Sequence, residues 1–104
     1  MYEEIVLIAE REEPDENGDL KAEETRRTIF AERKSVGQTE FYQAMAQGLK
    51  PELKFVVYRW EYGGEKKVET GGSVYRVVRT YAPPGDYLEL VCEGGVNRGG
   101  AVAG

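Results

Sequence analysis

Lys54-Phe55-Val56-Val57-Tyr58-Arg59-Trp60-Glu61-Tyr62 is the stretch that decides the fold. It is rich in β-branched and aromatic residues and bounded by Pro51 and Gly63-Gly64, which predicts a strand. Alternation puts Val56, Tyr58, Trp60 and Tyr62 on one face and Phe55, Val57, Arg59 and Glu61 on the other. The aromatic face is expected to point into the core, with Trp60 mostly buried. Downstream come a short piece over 65–70, a second Gly-Gly pair at Gly71-Gly72, and a run over 73–81. Gly-Gly pairs between strand-like runs are two-residue hairpin signals, because primed turns need positive φ. Pro83-Pro84-Gly85 marks another turn. The final run, 87–93, alternates most cleanly: Leu88, Leu90 and Cys92 inward, Tyr87, Glu89, Val91 and Glu93 outward.

Upstream of Pro51 the period changes. Phe41, Ala44, Met45, Gly48 and Leu49 fall at helical spacing, with Thr39 as the expected N-cap and Gly48 as the stop, so 38–49 predicts one short helix. Before it, 26–36 sets Arg27, Ile29 and Ala31 against Thr28, Phe30 and Glu32, a long strand with one exposed face. The opening Glu3-Glu4-Ile5-Val6-Leu7-Ile8-Ala9 is a further strand, apolar enough to be partly buried on both faces.

Between those two strands lie residues 10–24, with Pro14 and the turn pair Asn17-Gly18. Eight acids and two bases give this segment a charge of 2 − 8 = −6, so the other 89 residues sum to −5 + 6 = +1. It is expected to be an acidic, solvated loop. The stretch 94–104 has no period and little bulk, which predicts a disordered Gly-rich tail. The fold class that follows is mainly β: one domain over 1–93, a small antiparallel β-barrel of about six strands with one short inserted helix. Closure removes the exposed edges that an open sheet of such strands would leave.

Composition bounds the function. At 104 residues the chain makes one domain, and 40% apolar residues can fill one core. The longest apolar runs fall far short of the ~20 residues that span a bilayer. Met1-Tyr2-Glu3-Glu4 is acidic, unlike a secretory leader, and a single cysteine fits a reducing compartment; the expectation is a soluble protein folded inside the cell. There is no histidine, which removes Ser-His-Asp and Cys-His sites and the common zinc sites. No enzyme, no cofactor and no metal is therefore expected. Asp15-Glu16-Asn17-Gly18-Asp19 begins like a calcium loop, but its glycine sits at position 4 and Arg26 occupies position 12. Glu12, Glu13, Asp15 and Glu16 have no pocket to shift their pKa, so a solvated run outweighs acid/base catalysis. Cys92 fits a small core residue. Tyr58, Trp60 and Tyr62 invite base stacking in a single-stranded nucleic-acid-binding barrel, yet the acidic balance of the chain favours core or subunit interface.

The order of elements carries a resemblance. A Thr39-x-Phe41 helix with Ala44 and Gly48 precedes the strand Phe55-Val56-Val57-Tyr58-Arg59-Trp60. Lys67-Val68, Gly72-Ser73-Val74-Tyr75-Arg76-Val77 and the strand Leu88-Glu89-Leu90-Val91-Cys92 follow. With the N-terminal strand and the acidic Asn-Gly segment ahead of them, these residues resemble the head-tail joining (head-closure, adaptor or stopper) proteins of tailed bacteriophages and prophages. The chain departs from that pattern over 26–34, where many relatives carry a tryptophan or another bulky aromatic near the start and this chain has Phe30.

The resemblance implies a virion structural protein. It would form a homo-oligomeric ring below the portal or adaptor ring protein, join the head to the tail proteins, and help retain packaged DNA. The DNA would pass without sequence-specific binding. The protein would be found in the virion, and in the host bacterial cytoplasm during assembly, with no membrane involved. The acidic segment would face the channel through Glu12, Glu13, Asp15, Glu16 and Asp19, where like charge repels phosphates. Modest apolar content predicts a monomer or small oligomer in isolation, with the ring forming on a partner.

Overall fold

A computed structural model describes residues 2–94. Six strands close into an antiparallel barrel in the order β1-β2-β3-β6-β5-β4. In chain order these are β1 (Tyr2–Pro14), β2 (Leu20–Lys34), a helix α1 (Gln38–Met45), β3 (Pro51–Tyr58), a single 3₁₀ turn (Arg59–Glu61), β4 (Lys67–Thr70), β5 (Ser73–Tyr81) and β6 (Tyr87–Glu93). The small antiparallel barrel with a helix between the second and third strands is therefore present as the sequence implies. The tail predicted over 94–104 lies outside the described residues, Gly94 excepted.

The core forms because inward-facing positions alternate with outward ones on every long strand. Ile5 and Leu7 of β1, Ile29 and Ala31 of β2, Leu53, Phe55 and Val57 of β3, Val68 of β4, and Leu90 and Cys92 of β6 pack into one buried cluster. Burial pushes the Cys92 thiol up to about 12, so it stays protonated and unreactive at neutral pH. Val91 faces outward opposite Lys54, yet it is fully buried. It lies on the side where α1 is tied down by Lys54, whose Nζ donates to Glu40 (3.0 Å) and Glu89 (3.3 Å).

The inward row of β2 reads Arg27, Ile29, Ala31, Arg33, and each arginine finishes one mouth of the barrel. At one mouth Arg33 donates to both oxygens of Glu3 (2.9 and 3.1 Å), Thr70 donates to Glu3 (3.0 Å), and the guanidinium lies 5.5 Å above the Phe55 ring. At the other, Arg27 donates twice to Glu65 (2.9 and 2.6 Å) and once to the Glu61 carbonyl (2.7 Å). Gly63 N–H donates to the second Glu65 oxygen at 2.8 Å. These bonds matter because β2 pairs with β3 only over residues 32–34. Arg27 fastens the rest of β2 to the segment that joins β3 to β4.

Several local expectations are met. Gly71 and Gly72, at φ 58° and 80°, form the two-residue turn between β4 and β5. Gly48, at φ 81°, ends the helical segment in a Schellman arrangement: its N–H donates to the Met45 carbonyl and that of Leu49 to Ala44. Others need correction. Thr39 lies inside α1, whose N-cap is Gly37 with no side-chain cap. Gly63-Gly64 is no hairpin turn, since β3 pairs with β2 and β6 and not with β4. The aromatic alternation also stops short. β3 ends at Tyr58, its buried face is Leu53, Phe55 and Val57, and Trp60 stands 66% exposed on the 3₁₀ turn.

Candidate functional site

Residues 10–24 are not a loop. β1 and β2 stay in register from Tyr2↔Glu32 to Pro14↔Leu20, so the acidic segment is a two-stranded ribbon standing off the barrel. β4 leaves β1 after Ile8 and β3 has already left β2, so residues 9–14 and 20–25 pair with each other alone. A two-stranded ribbon is marginal without help. The help comes from cross-strand charge and from the turn. Arg11 sits opposite Glu23, and Glu13 opposite Lys21; opposite charges facing each other across a ladder are stabilising. At the tip Asp15 Oδ1 accepts the N–H groups of Asn17 (2.8 Å) and Asp19 (2.9 Å), and Gly18 takes φ 85°.

The ribbon sorts its charge by face. One face carries Arg11, Glu13, Lys21 and Glu23, which cancel; the other carries Glu10, Glu12 and Glu24 with Ala22, Pro14 and Leu20. The acid excess therefore lies on a single face, continuous with the outer wall of the barrel, and at the tip. Of the five predicted channel-facing residues, Glu13 is ion-paired with Arg11 and Asp15 is the cap of the turn. The side chains of Glu12, Glu16 and Asp19 have no hydrogen bond or ion pair among the described residues. Those three are the free charges of the set. No cluster of metal-ligating side chains occurs among the described residues.

A second surface was legible only in part: Tyr58 and Trp60 belong to it, Tyr62 packs half-buried against the core, and Tyr2, Phe30 and Tyr87 join it unannounced. The outward row at one level of the barrel runs Tyr2, Glu32, Val56, Glu89, Tyr81 across five strands. The next level holds the pairs Glu4–Phe30 and Tyr58–Tyr87. Tyr58 stacks on Trp60 (centroids 4.9 Å apart, planes at 11°) and on Tyr87 (5.2 Å, 21°). Tyr2, Phe30, Val56, Tyr58, Glu61 and Tyr87 help line a groove of about 350 Å³. Trp60 is held, though exposed. Its turn is fixed by Arg27 on the Glu61 carbonyl, by Arg59 N–H on the Asp86 carbonyl (2.8 Å), and by the Arg59 guanidinium on the Pro83 carbonyl (3.1 Å). Carboxylates surround these rings, which is the wrong sign for a phosphate backbone. No family model and no curated protein matches the sequence.

Proposed function

We propose that this chain is a structural head-tail connector (head-closure) protein of a tailed phage or prophage, without catalytic activity. It would assemble as a ring below the portal or adaptor protein, join the head to tail proteins, and help to retain packaged DNA. The observation that supports the reading best is the acidic β1–β2 ribbon projecting from a closed barrel whose helix lies between β2 and β3. This is the architecture that the resemblance implies. In a ring, Glu12, Glu16 and Asp19 of many ribbons would add their potentials around one axis and keep passing DNA from adhering.

The test uses DNA-filled, portal-bearing heads of the phage or prophage that would encode this chain. Adding the purified protein should place an extra ring under the portal, seen by electron microscopy, and slow DNA leakage. Heads that gain no ring would end the connector reading. A variant with Glu12→Gln, Glu16→Gln and Asp19→Asn isolates charge from structure, because Glu10, Glu13 and Asp15, each of which has a partner, are left in place. Its melting should match the parent, since surface substitutions change stability by no more than ~0.5 kcal/mol each. It should still join heads but change leakage or ejection. Unchanged leakage and ejection would remove the gate role and leave the connector role standing.

The exposed Tyr58–Trp60 stack favours a second reading, a single-stranded nucleic-acid-binding barrel. Salt-dependent binding of a short oligothymidylate would support it. The carboxylates around the stack weigh against it.

A further inference from the structure

We propose that the aromatic face built on Tyr58, Trp60 and Tyr87 is a docking surface for an extended, arginine-bearing segment of a partner protein. The inference goes beyond the connector reading and does not depend on it. Three observations carry it. The first is exposure on a fixed turn: Trp60 and Phe30 are 66% and 60% exposed, yet the turn that carries Trp60 is held by hydrogen bonds from Arg27 and Arg59 to backbone carbonyls, and the indole stacks on Tyr58. An aromatic fixed in place before binding loses little freedom when a partner arrives, and such residues dominate interface energetics. The second is shape. The rings of Tyr2, Phe30, Tyr58 and Tyr87 border a groove about 350 Å³ in volume that crosses neighbouring strands, with Val56 and Glu61 also lining it and Trp60 stacked beside it on Tyr58. A narrow aromatic-lined groove suits an extended chain better than a flat protein face.

The third observation is charge, and it selects the partner. Glu4, Glu61 and Asp86 stand beside the rings of Phe30, Tyr58 and Tyr87, against Arg59; Glu32 and Glu89 lie one row further along the strands, and Lys34, Lys54 and Arg79 in the row beyond. Lys54 is engaged by Glu40 and Glu89, and Arg59 by the Pro83 carbonyl. Beside the rings the face is therefore negative, with Arg59 already engaged; Lys54 and Glu89 offset each other, and Lys34 and Arg79 stand two rows away. An arginine satisfies both features at once, because its planar guanidinium stacks on tyrosine or tryptophan and pairs with a carboxylate such as Glu61. A phosphate backbone would meet repulsion. A second copy docked face to face through this surface would set the same carboxylates against each other, since a two-fold interface repeats one patch on both sides.

Trp60 is the only tryptophan and stacks on Tyr58, which lines the groove, so its emission reports on binding there. The probe is a short synthetic peptide of alternating arginine and proline, titrated into the full chain at physiological salt. The proposal expects a saturable blue shift or quench. The same peptide with glutamate in place of arginine should produce none. Glu61→Gln combined with Asp86→Asn, with circular dichroism matching the parent, should weaken the arginine peptide by about tenfold, equivalent to ~1.4 kcal/mol. No saturation at millimolar peptide, equal binding of the glutamate peptide, or an unchanged affinity in the double variant would each overturn it. So would saturation by an oligothymidylate in place of the peptide. Light scattering provides the remaining arm: self-association that Trp60→Ser abolishes would assign the face to a second copy and overturn the proposal.

Discussion

Phe55→Ala should cost ~3–5 kcal/mol, while Trp60→Ala should cost only ~1 kcal/mol. Phe55 is fully buried at the centre of the cluster, and its removal leaves a cavity that strands tied on both sides cannot close. A domain this small has a total stability of about 5–15 kcal/mol, so the variant should approach unfolding on mild heating. Trp60 loses mainly its stacking on Tyr58, which is worth ~0.5–1.5 kcal/mol for an aromatic pair. Urea denaturation followed by far-ultraviolet circular dichroism gives both values without needing the tryptophan signal. Equal losses would mean that Trp60 is a core residue after all. Parent emission should be red-shifted, as for an indole in water.

Breaking the Arg27–Glu65 bond should have the next largest effect, and its pH dependence should be diagnostic. Glu65 is 7% exposed, whereas Arg27 is half in water, so the two single variants are unequal. Glu65→Gln frees an arginine that water can solvate and should cost ~2 kcal/mol. Arg27→Met leaves a buried carboxylate without its counter-ion and should cost ~3 kcal/mol or more. Burial alone would push the Glu65 carboxyl up, but the Arg27 guanidinium and backbone N–H groups, including that of Gly63, outweigh it and hold it below its ordinary 4.5. A carboxyl depressed on folding adds stability above its unfolded pKa, and that stability is lost as pH falls through the folded value. The gap between the parent and Glu65→Gln should therefore be full at neutral pH and close on acidification below about 4.5, while Arg27→Met keeps the share of its loss that comes from the Glu61 carbonyl bond. Melting curves at pH 7 and pH 3 measure it. A Glu65→Gln gap that survives at pH 3 would mean that the loss comes from packing and not from the ion pair.

What was legible in the sequence was local. β6 was readable because a strict two-residue alternation over Leu88, Leu90 and Cys92 can face only one way. Gly71-Gly72 and Gly48 were readable because positive φ leaves few other choices of residue. The acidic ribbon was missed because Pro14, Asn17-Gly18 and eight acids describe a loop by composition. A finer signal was there: counting outward from Asn17, Glu13 meets Lys21 and Arg11 meets Glu23, opposite charges at equal distances from the turn. Trp60 could not be placed by period alone. Nothing within 54–62 says that the strand ends at Tyr58; bonds from Asp86 and Arg27, far along the chain, stop it there. The Glu65 partnership spans 38 residues of chain and has no local mark. Of the predicted channel-facing acids, charge was readable but employment was not, since only geometry shows Asp15 capping a turn and Glu13 occupied by Arg11.

The two narrow seams of the barrel divide it into unequal cooperative parts. β1 is joined to β2 along its whole length, but the pair meets the remaining sheet only over residues 6–8 and 32–34. In backbone terms the hairpin is a lever hinged on two three-residue hems, while β3, β6, β5 and β4 form a continuous curved plate. Local opening follows the weakest joints of a structure. Amide protons at those hems should then be traded for solvent deuterium before those shared by β3 and β6. The same geometry allows two neighbouring barrels to exchange hairpins, since each could re-form the same hems with the other's plate. The sixteen-residue connection over 35–50, which carries α1, is the stretch of chain that such an exchange would re-route.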